Sequence, residues 1–131
     1  MTGKPFSIAA ARFAVPILRL LSTLEVNRRV RAEARLARKN GMTDRMRDSV
    51  FASVLWLIAT VSDDEASEQY AKERFSYDLG QRMPGLDPAT IMILVQLAWL
   101  IYQALKAAGY LDRDSVQFAA AGDLNEHFGG L

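Results

Sequence analysis

A row of arginines along one predicted helix is the feature of this sequence with the clearest chemistry. Arg28, Arg31, Arg35 and Arg38 are three or four residues apart, which places them along one face of an α-helix. Like charges at this spacing repel by a few tenths of a kcal/mol per pair, and a bound anion would relieve that repulsion. The planar guanidinium group suits phosphate or carboxylate. Including the cations that broaden and continue this face, the predicted partner- or anion-binding residues are Arg28, Arg31, Arg35, Arg38, Lys39, Arg45 and Arg47.

The charge of the whole chain is divided between its two parts. Residues 1–47 carry a net charge of +8 and residues 48–131 carry −7, which together give the overall +1. Such a division predicts either an anionic partner for the first part or mutual attraction between the two parts. For the arginine face, pairing with an acidic surface of a neighbouring subunit is a further interpretation. A solvated helical face that binds nothing is the competing interpretation. No aromatic residue lies among the arginines, so stacking on single-stranded bases is not indicated.

The residues required for catalysis are scarce. The chain has no cysteine and one histidine, His127, and no glycine-rich phosphate loop or recognisable nucleophile–histidine–acid order. We therefore predict that the protein is not an enzyme, with no catalytic, cofactor-binding or metal-binding residues. The absence of cysteine fits a reducing compartment. The localisation is otherwise unknown, with membership of a larger particle or of a membrane complex as the alternatives.

Two further features could make contacts. Trp56 lies on the small, polar face of its predicted helix, opposite an apolar stripe, so it is either a contact anchor for a partner or is covered by another helix of the same chain. Gln96 and Gln103 are seven residues apart and form a polar seam on an otherwise apolar helix. In lipid this seam would face another helix. In a soluble protein it would lie near water or form a buried hydrogen-bonding line.

The segment from Ala89 to Leu105 has no charged residue. A helix of about 20 residues is about 30 Å long, enough to cross the hydrocarbon core of a membrane. The same composition is expected of the central helix of a soluble bundle. The segment therefore predicts either a buried core helix or a membrane-associated one.

Sequence signals for the beginning and end of helices occur along the whole chain. We expect helices to begin at a capping box formed by Ser22–Glu25, at Thr43 or Asp44, at a second capping box formed by Ser62–Glu65, at Asp87–Pro88, and at Ser115. The corresponding stops are Gly41, Val61, Pro84–Gly85, Gly109 and Gly122. Pro16 would kink a first helix or start a second one, and Gly129–Leu131 would form a flexible tail.

These signals predict an all-α protein, a small bundle of four to six helices with a basic N-terminal helical arm. We expect the arm to be residues 1–41 and the helical core 42–131, with a central apolar helix over 88–108. The leading functional hypothesis is a non-catalytic structural or assembly protein that docks into a larger complex through the basic helix. A virion or membrane-complex component fits it, with protein partners or self-association.

Two other functional hypotheses remain. The chain could be a membrane-associated helical subunit that uses the 89–105 helix. It could instead be a nucleic-acid-binding module that uses the Arg28–Arg47 face, with lipid headgroups as another anionic ligand for the same cations.

Overall fold

The described part of the protein is a bundle of α-helices. A computed structural model describes residues 8–62, 65–111 and 120–131, with side chains described from Leu21 onward except for Ser22. The helices are α1 (Ile8–Lys39), α2 (Asp44–Thr60), α3 (Glu68–Arg82), α4 (Pro88–Ala107) and α5 (Ala121–His127). No strand occurs among these residues. The prediction of a small all-α bundle is confirmed.

Helix α4 lies at the centre of the bundle. It packs against α1, α2 and α3, and its contact with α1 is the most extensive between any two helices described. Leu97, Ala98 and Ile101 are completely buried on it. A helix with neighbours on several sides needs apolar residues around most of its circumference, which accounts for the uncharged stretch in the sequence. Its bounds differ from the predicted 88–108 by one residue.

Local capping fixes several helix ends where the sequence predicts them. The Thr43 hydroxyl accepts a hydrogen bond from the Met46 amide at 3.2 Å and starts α2. The Asp87 carboxylate accepts one from the Thr90 amide at 2.7 Å, directly before Pro88. Gly41 has a φ of +100°, the left-handed conformation that lets the chain turn between α1 and α2.

The predicted helix start at Ser22–Glu25 is wrong. Helix α1 is continuous from Ile8 to Lys39, and Pro16 lies inside it without ending it. A capping box works only where the preceding backbone leaves the helix. Here the residues before Ser22 are helical, so the ordinary backbone bonds of the helix occupy the amides that a cap would have satisfied.

Two other predicted boundaries also differ. Helix α3 is capped by Ser67, whose hydroxyl accepts from the Tyr70 amide at 3.2 Å, and not by Ser62. Two members of the predicted box, residues 63 and 64, lie outside the described residues, as does most of the predicted helix from Ser115. Gly122 does not end a helix but lies inside α5.

The second half of α1 belongs to the hydrophobic core. Val30, Ala34 and Ala37 are buried within the same cluster as the residues of α4. The side chains described before Val30, from Leu21 onward, include none that is buried. The division into an arm of 1–41 and a core of 42–131 stays a prediction, but the face that α1 turns toward the bundle is defined.

The Asp87 cap provides a test of the start of α4. Asp87→Ala should lower the free energy of unfolding by about 1 kcal/mol, because the Thr90 amide loses its acceptor. Thermal denaturation should show a melting temperature lower by about 4 °C. Asp87→Asn is the matched control, since asparagine caps as well as aspartate; equal losses in both variants would contradict this role.

Candidate docking surface on helix α1

Helix α1 has one face toward the bundle and one toward solvent. Val26, Val30, Ala34 and Ala37 lie on the first face, against the core. On the opposite side, a row of exposed side chains advances by steps of three or four residues, the spacing of neighbours along one helical face. We call this row the α1 strip: Leu21, Leu24, Arg28, Arg31, Arg35 and Lys39. It is about 27 Å long.

The first two members of the α1 strip are exposed leucines. Leu21 is 57% exposed and Leu24 is 55% exposed, although both are large apolar side chains. Only five large hydrophobic residues are exposed in the described part of the chain, and these two occupy consecutive positions of one strip. Large contiguous patches of exposed apolar surface mark contact sites, and these two leucines could form part of such a patch.

The other four members are cations that remain available to a partner. Arg28 forms an ion pair with Glu25 at 2.9 Å, but both side chains are well exposed, so the pair is weak and solvent can replace it. Arg31, Arg35 and Lys39 form no ion pair with any described carboxylate. The α1 strip thus changes from apolar to basic along its length.

Arg38, although predicted to belong to the same surface, has a different role. Its Nε and Nη2 donate to the main-chain oxygen of Leu131 at 3.1 and 3.0 Å, and its Nη1 donates to the Met42 oxygen at 3.0 Å. Nη2 also donates to the Asp44 carboxylate at 2.7 Å. Arg38 therefore joins the end of α1, the start of α2 and the segment after α5.

The Arg38 contact also affects the Asp44 carboxylate. The hydrogen bond from Arg38, followed by the charges of Arg38 and Arg47, holds the pKa of Asp44 below its ordinary value of 3.8. The carboxylate is therefore ionised over a wider pH range than that of an aspartate without these neighbours.

Arg45 and Arg47 lie on the first turn of α2. Arg47 pairs with Asp48 at 3.0 Å and with Asp44 at 3.5 Å, and only 15% of its side chain is exposed. Arg45 is exposed. The seven predicted cations therefore divide into two groups: Arg28, Arg31, Arg35 and Lys39 form part of the α1 strip, whereas Arg38, Arg45 and Arg47 lie at the junction of α1 and α2.

The residues after α5 form one wall of a groove beside the α1 strip. Gly129 and Gly130 both have positive φ, at 75° and 83°. The Gly130 amide donates a hydrogen bond to the main-chain oxygen of Asn125 at 2.9 Å. The groove has a volume of about 350 Å³ and lies between two sets of residues: Arg31, Ala34, Arg35, Arg38 and Lys39 on α1, and Phe128, Gly130 and Leu131 after α5.

The expectation of a flexible tail at Gly129–Leu131 is wrong. These residues turn back toward α1 and bring the Leu131 oxygen to Arg38. The signal was present in the sequence, since two glycines directly after a helix are typical of a left-handed C-terminal cap. What the sequence could not indicate was the partner, which is 93 residues away.

Trp56 is half-buried and covered on one side by its own chain. The Arg74 guanidinium of α3 lies 5.3 Å from the centre of the Trp56 ring and 5.7 Å from that of Tyr70, within the range of cation–π attraction. The structure thus supplies an intramolecular partner for this tryptophan, and its use as a contact anchor stays a prediction.

The two glutamines of the predicted seam have different surroundings. Gln96 lines a groove between α3 and α4 that has a volume of about 720 Å³. Gln103 is half-buried and does not line that groove. The structure therefore does not bring the two amides together at one groove.

Two properties of the described residues bear on metal binding and on membrane insertion. No group of three or more His, Asp or Glu side chains is placed to hold a metal ion among them. Among the described helices, α4 alone is long and apolar enough to cross a membrane. The bundle buries 56% of its apolar stretch.

Comparisons with protein-family models, with curated proteins and with solved structures find no match to this chain.

Removing the Arg38 side chain should loosen the wall formed by Gly130 and Leu131. We expect Arg38→Met to lower the free energy of unfolding by about 2 kcal/mol, because three acceptors lose a charged donor. Faster hydrogen exchange at the Leu131 amide should accompany the loss. Arg45→Met is the matched control and should change stability by less than about 0.5 kcal/mol. An unchanged exchange rate in Arg38→Met would contradict the assigned role.

The single histidine predicts a specific acid sensitivity. The His127 ring packs edge-on against Tyr110 and Phe128, at 5.4 and 5.0 Å between centres, and partial burial lowers its pKa below 6.5. As pH falls below 6.5, the unfolded state takes up the proton first, so stability should decline until the folded pKa is passed.

An NMR titration of His127 should therefore give a midpoint below 6.5. Urea unfolding at about pH 7 and about pH 5 measures the accompanying loss of stability. His127→Gln should reduce the difference between these two conditions, and a midpoint at or above 6.5 in the wild type would contradict the assignment.

Proposed function

We propose that this protein is a non-catalytic assembly protein that docks into a larger complex through the α1 strip. The observation that carries the proposal is the order of residues on one exposed face. Leu21 and Leu24 lie at the N-terminal end of the strip, and four cations lie after them along the helix. The opposite face of α1 is already committed to the core through Val30 and its neighbours. The exposed face is therefore the one available for a partner.

The chemistry of the strip defines the partner that would fit. Burying a leucine side chain contributes about 2 kcal/mol, so the two leucines can supply affinity. The cations contribute selectivity and faster association with an acidic surface. A helix laid in a groove is a common way to recognise such a strip. The partner should present an apolar hollow followed by carboxylates, in the same order as the strip.

The other two hypotheses have less support. For nucleic acid, the Arg28–Arg47 face would have to act as a unit, yet Arg38 and Arg47 are engaged in contacts within the chain. For membrane insertion, the apolar side chains of α4 would have to face lipid. Helix α4 instead packs against three helices of the bundle, and this packing already accounts for its apolar composition. The exposed leucines suit a protein groove better than a phosphate backbone.

The leucines offer the most direct test. In an extract of the cells that naturally produce the protein, the wild type should elute in size-exclusion chromatography well ahead of a single chain. Leu21→Glu combined with Leu24→Glu should elute as the free chain, because each carboxylate would be carried into an apolar contact.

Leu36→Glu is the matched control, since Leu36 is exposed on α1 but lies off the α1 strip. Circular dichroism should show equal helix content in all three proteins. A wild type that elutes as a free chain, or a double variant that stays in the complex, would refute docking through these leucines.

A further inference from the structure

The groove between α3 and α4 is larger than the groove beside the α1 strip. It has a volume of about 720 Å³. Its apolar part is provided by α4, where Met92 is 72% exposed, more than any other large hydrophobic residue described. The residues that line it are Glu68, Gln69, Lys72, Glu73 and Ser76 on α3 and Met92, Val95 and Gln96 on α4.

The polar rim of this groove contains two carboxylates that can accept hydrogen bonds from a partner. Glu68 pairs with Lys72 at 3.2 Å, but the glutamate side chain is 61% exposed and can accept further hydrogen bonds. Glu73 accepts from the neutral amide of Gln69 at 3.3 Å and forms no ion pair with the described cations. With two carboxylates and one ammonium group, the rim has a net negative charge.

The α1 strip has the complementary character. Its leucines match the exposed apolar floor around Met92, and Arg28 and Arg31 match the carboxylates of the rim. The lengths also agree. The strip from Leu21 to Arg31 rises about 15 Å, and the α3 rim from Glu68 to Ser76 rises about 12 Å.

The chain cannot fill this groove with its own α1 strip. Helix α1 is unbroken, and Val30, Ala34 and Ala37 fix its second half in the core. A continuous helix held in this way cannot turn back across the bundle. An α1 strip could reach this groove only from another molecule, and a second copy carries both surfaces. The charges of the two parts of the chain, +8 and −7, also nearly cancel between copies.

We propose that the α3–α4 groove binds the α1 strip of a second copy of this chain. The inference rests on the proposed function, because it assigns the partner of the same strip. A stable interface buries about 800 Å² on each partner, and one short helical stretch supplies part of that area. Reciprocal insertion of two strips into two grooves doubles the contact, whereas one-way insertion extends into rings or chains.

Two variants that each disable one surface test the pairing. The first is Leu21→Glu with Leu24→Glu, which keeps the groove. The second is Met92→Lys, which keeps the strip and puts a cation where the leucines should lie. Sedimentation velocity over a concentration series should show self-association of the wild type, weakened at high salt. Each variant alone should raise the dissociation constant at least about tenfold.

An equal mixture of the two variants should associate more tightly than either alone, because it restores one intact strip and one intact groove. Tyr77→Lys is the matched control for Met92→Lys. Tyr77 is 65% exposed on α3 but does not line the groove, so this variant should associate like the wild type.

The opposite results are equally clear. A wild type that stays monomeric throughout, or a mixture that sediments as the sum of its parts at every concentration, would overturn self-association through this groove. If Met92→Lys stays in the larger complex of natural extracts while the double leucine variant leaves it, docking through the α1 strip stands and the partner is another protein.

Discussion

The Arg38 guanidinium holds together three parts of the chain that no regular backbone pairing connects. Through it the end of α1, the start of α2 and the residues after α5 share one charged donor. The planar guanidinium group is suited to joining these three parts, because its several N–H donors can bond to separate acceptors at once. This contact helps to hold the wall of the small groove, because it joins the Leu131 oxygen to α1. One arginine of the basic row thereby fixes the geometry around the others.

The central position of α4 determines what remains free on α1. Because α4 is apolar around most of its circumference, it can take neighbours on several sides, and α1 covers one of them with a narrow stripe that includes Val30, Ala34 and Ala37. Alanine at two of these positions lets the helices approach closely. A stripe this narrow leaves most of the α1 side chains described between Leu21 and Lys39 exposed. Exposure of Leu21 and Leu24 is thus a consequence of how little of α1 the core requires.

Several features that depend on neighbouring residues were predictable from the sequence, whereas the individual contacts between distant residues were not. The caps at Thr43 and Asp87 involve residues three positions apart, so their chemistry could be read directly. The box at Ser22 failed because the same local pattern is compatible with an uninterrupted helix. The row of arginines was correctly placed on one helix, but spacing alone could not distinguish Arg38, which turns toward Leu131, from Arg35, which faces solvent.

The order of residues on the α1 strip has a consequence for how a contact would form. Charges act over about 10 Å in moderate salt, whereas leucines contribute only once water has left between the surfaces. The cations would therefore orient the helix during approach, and the leucines would hold it afterwards. Because the apolar and basic members lie at opposite ends of the strip, a groove with the matching order accepts the helix in one direction only. Reversal would set Arg28 and Arg31 on an apolar floor, where a buried unpaired charge is costly.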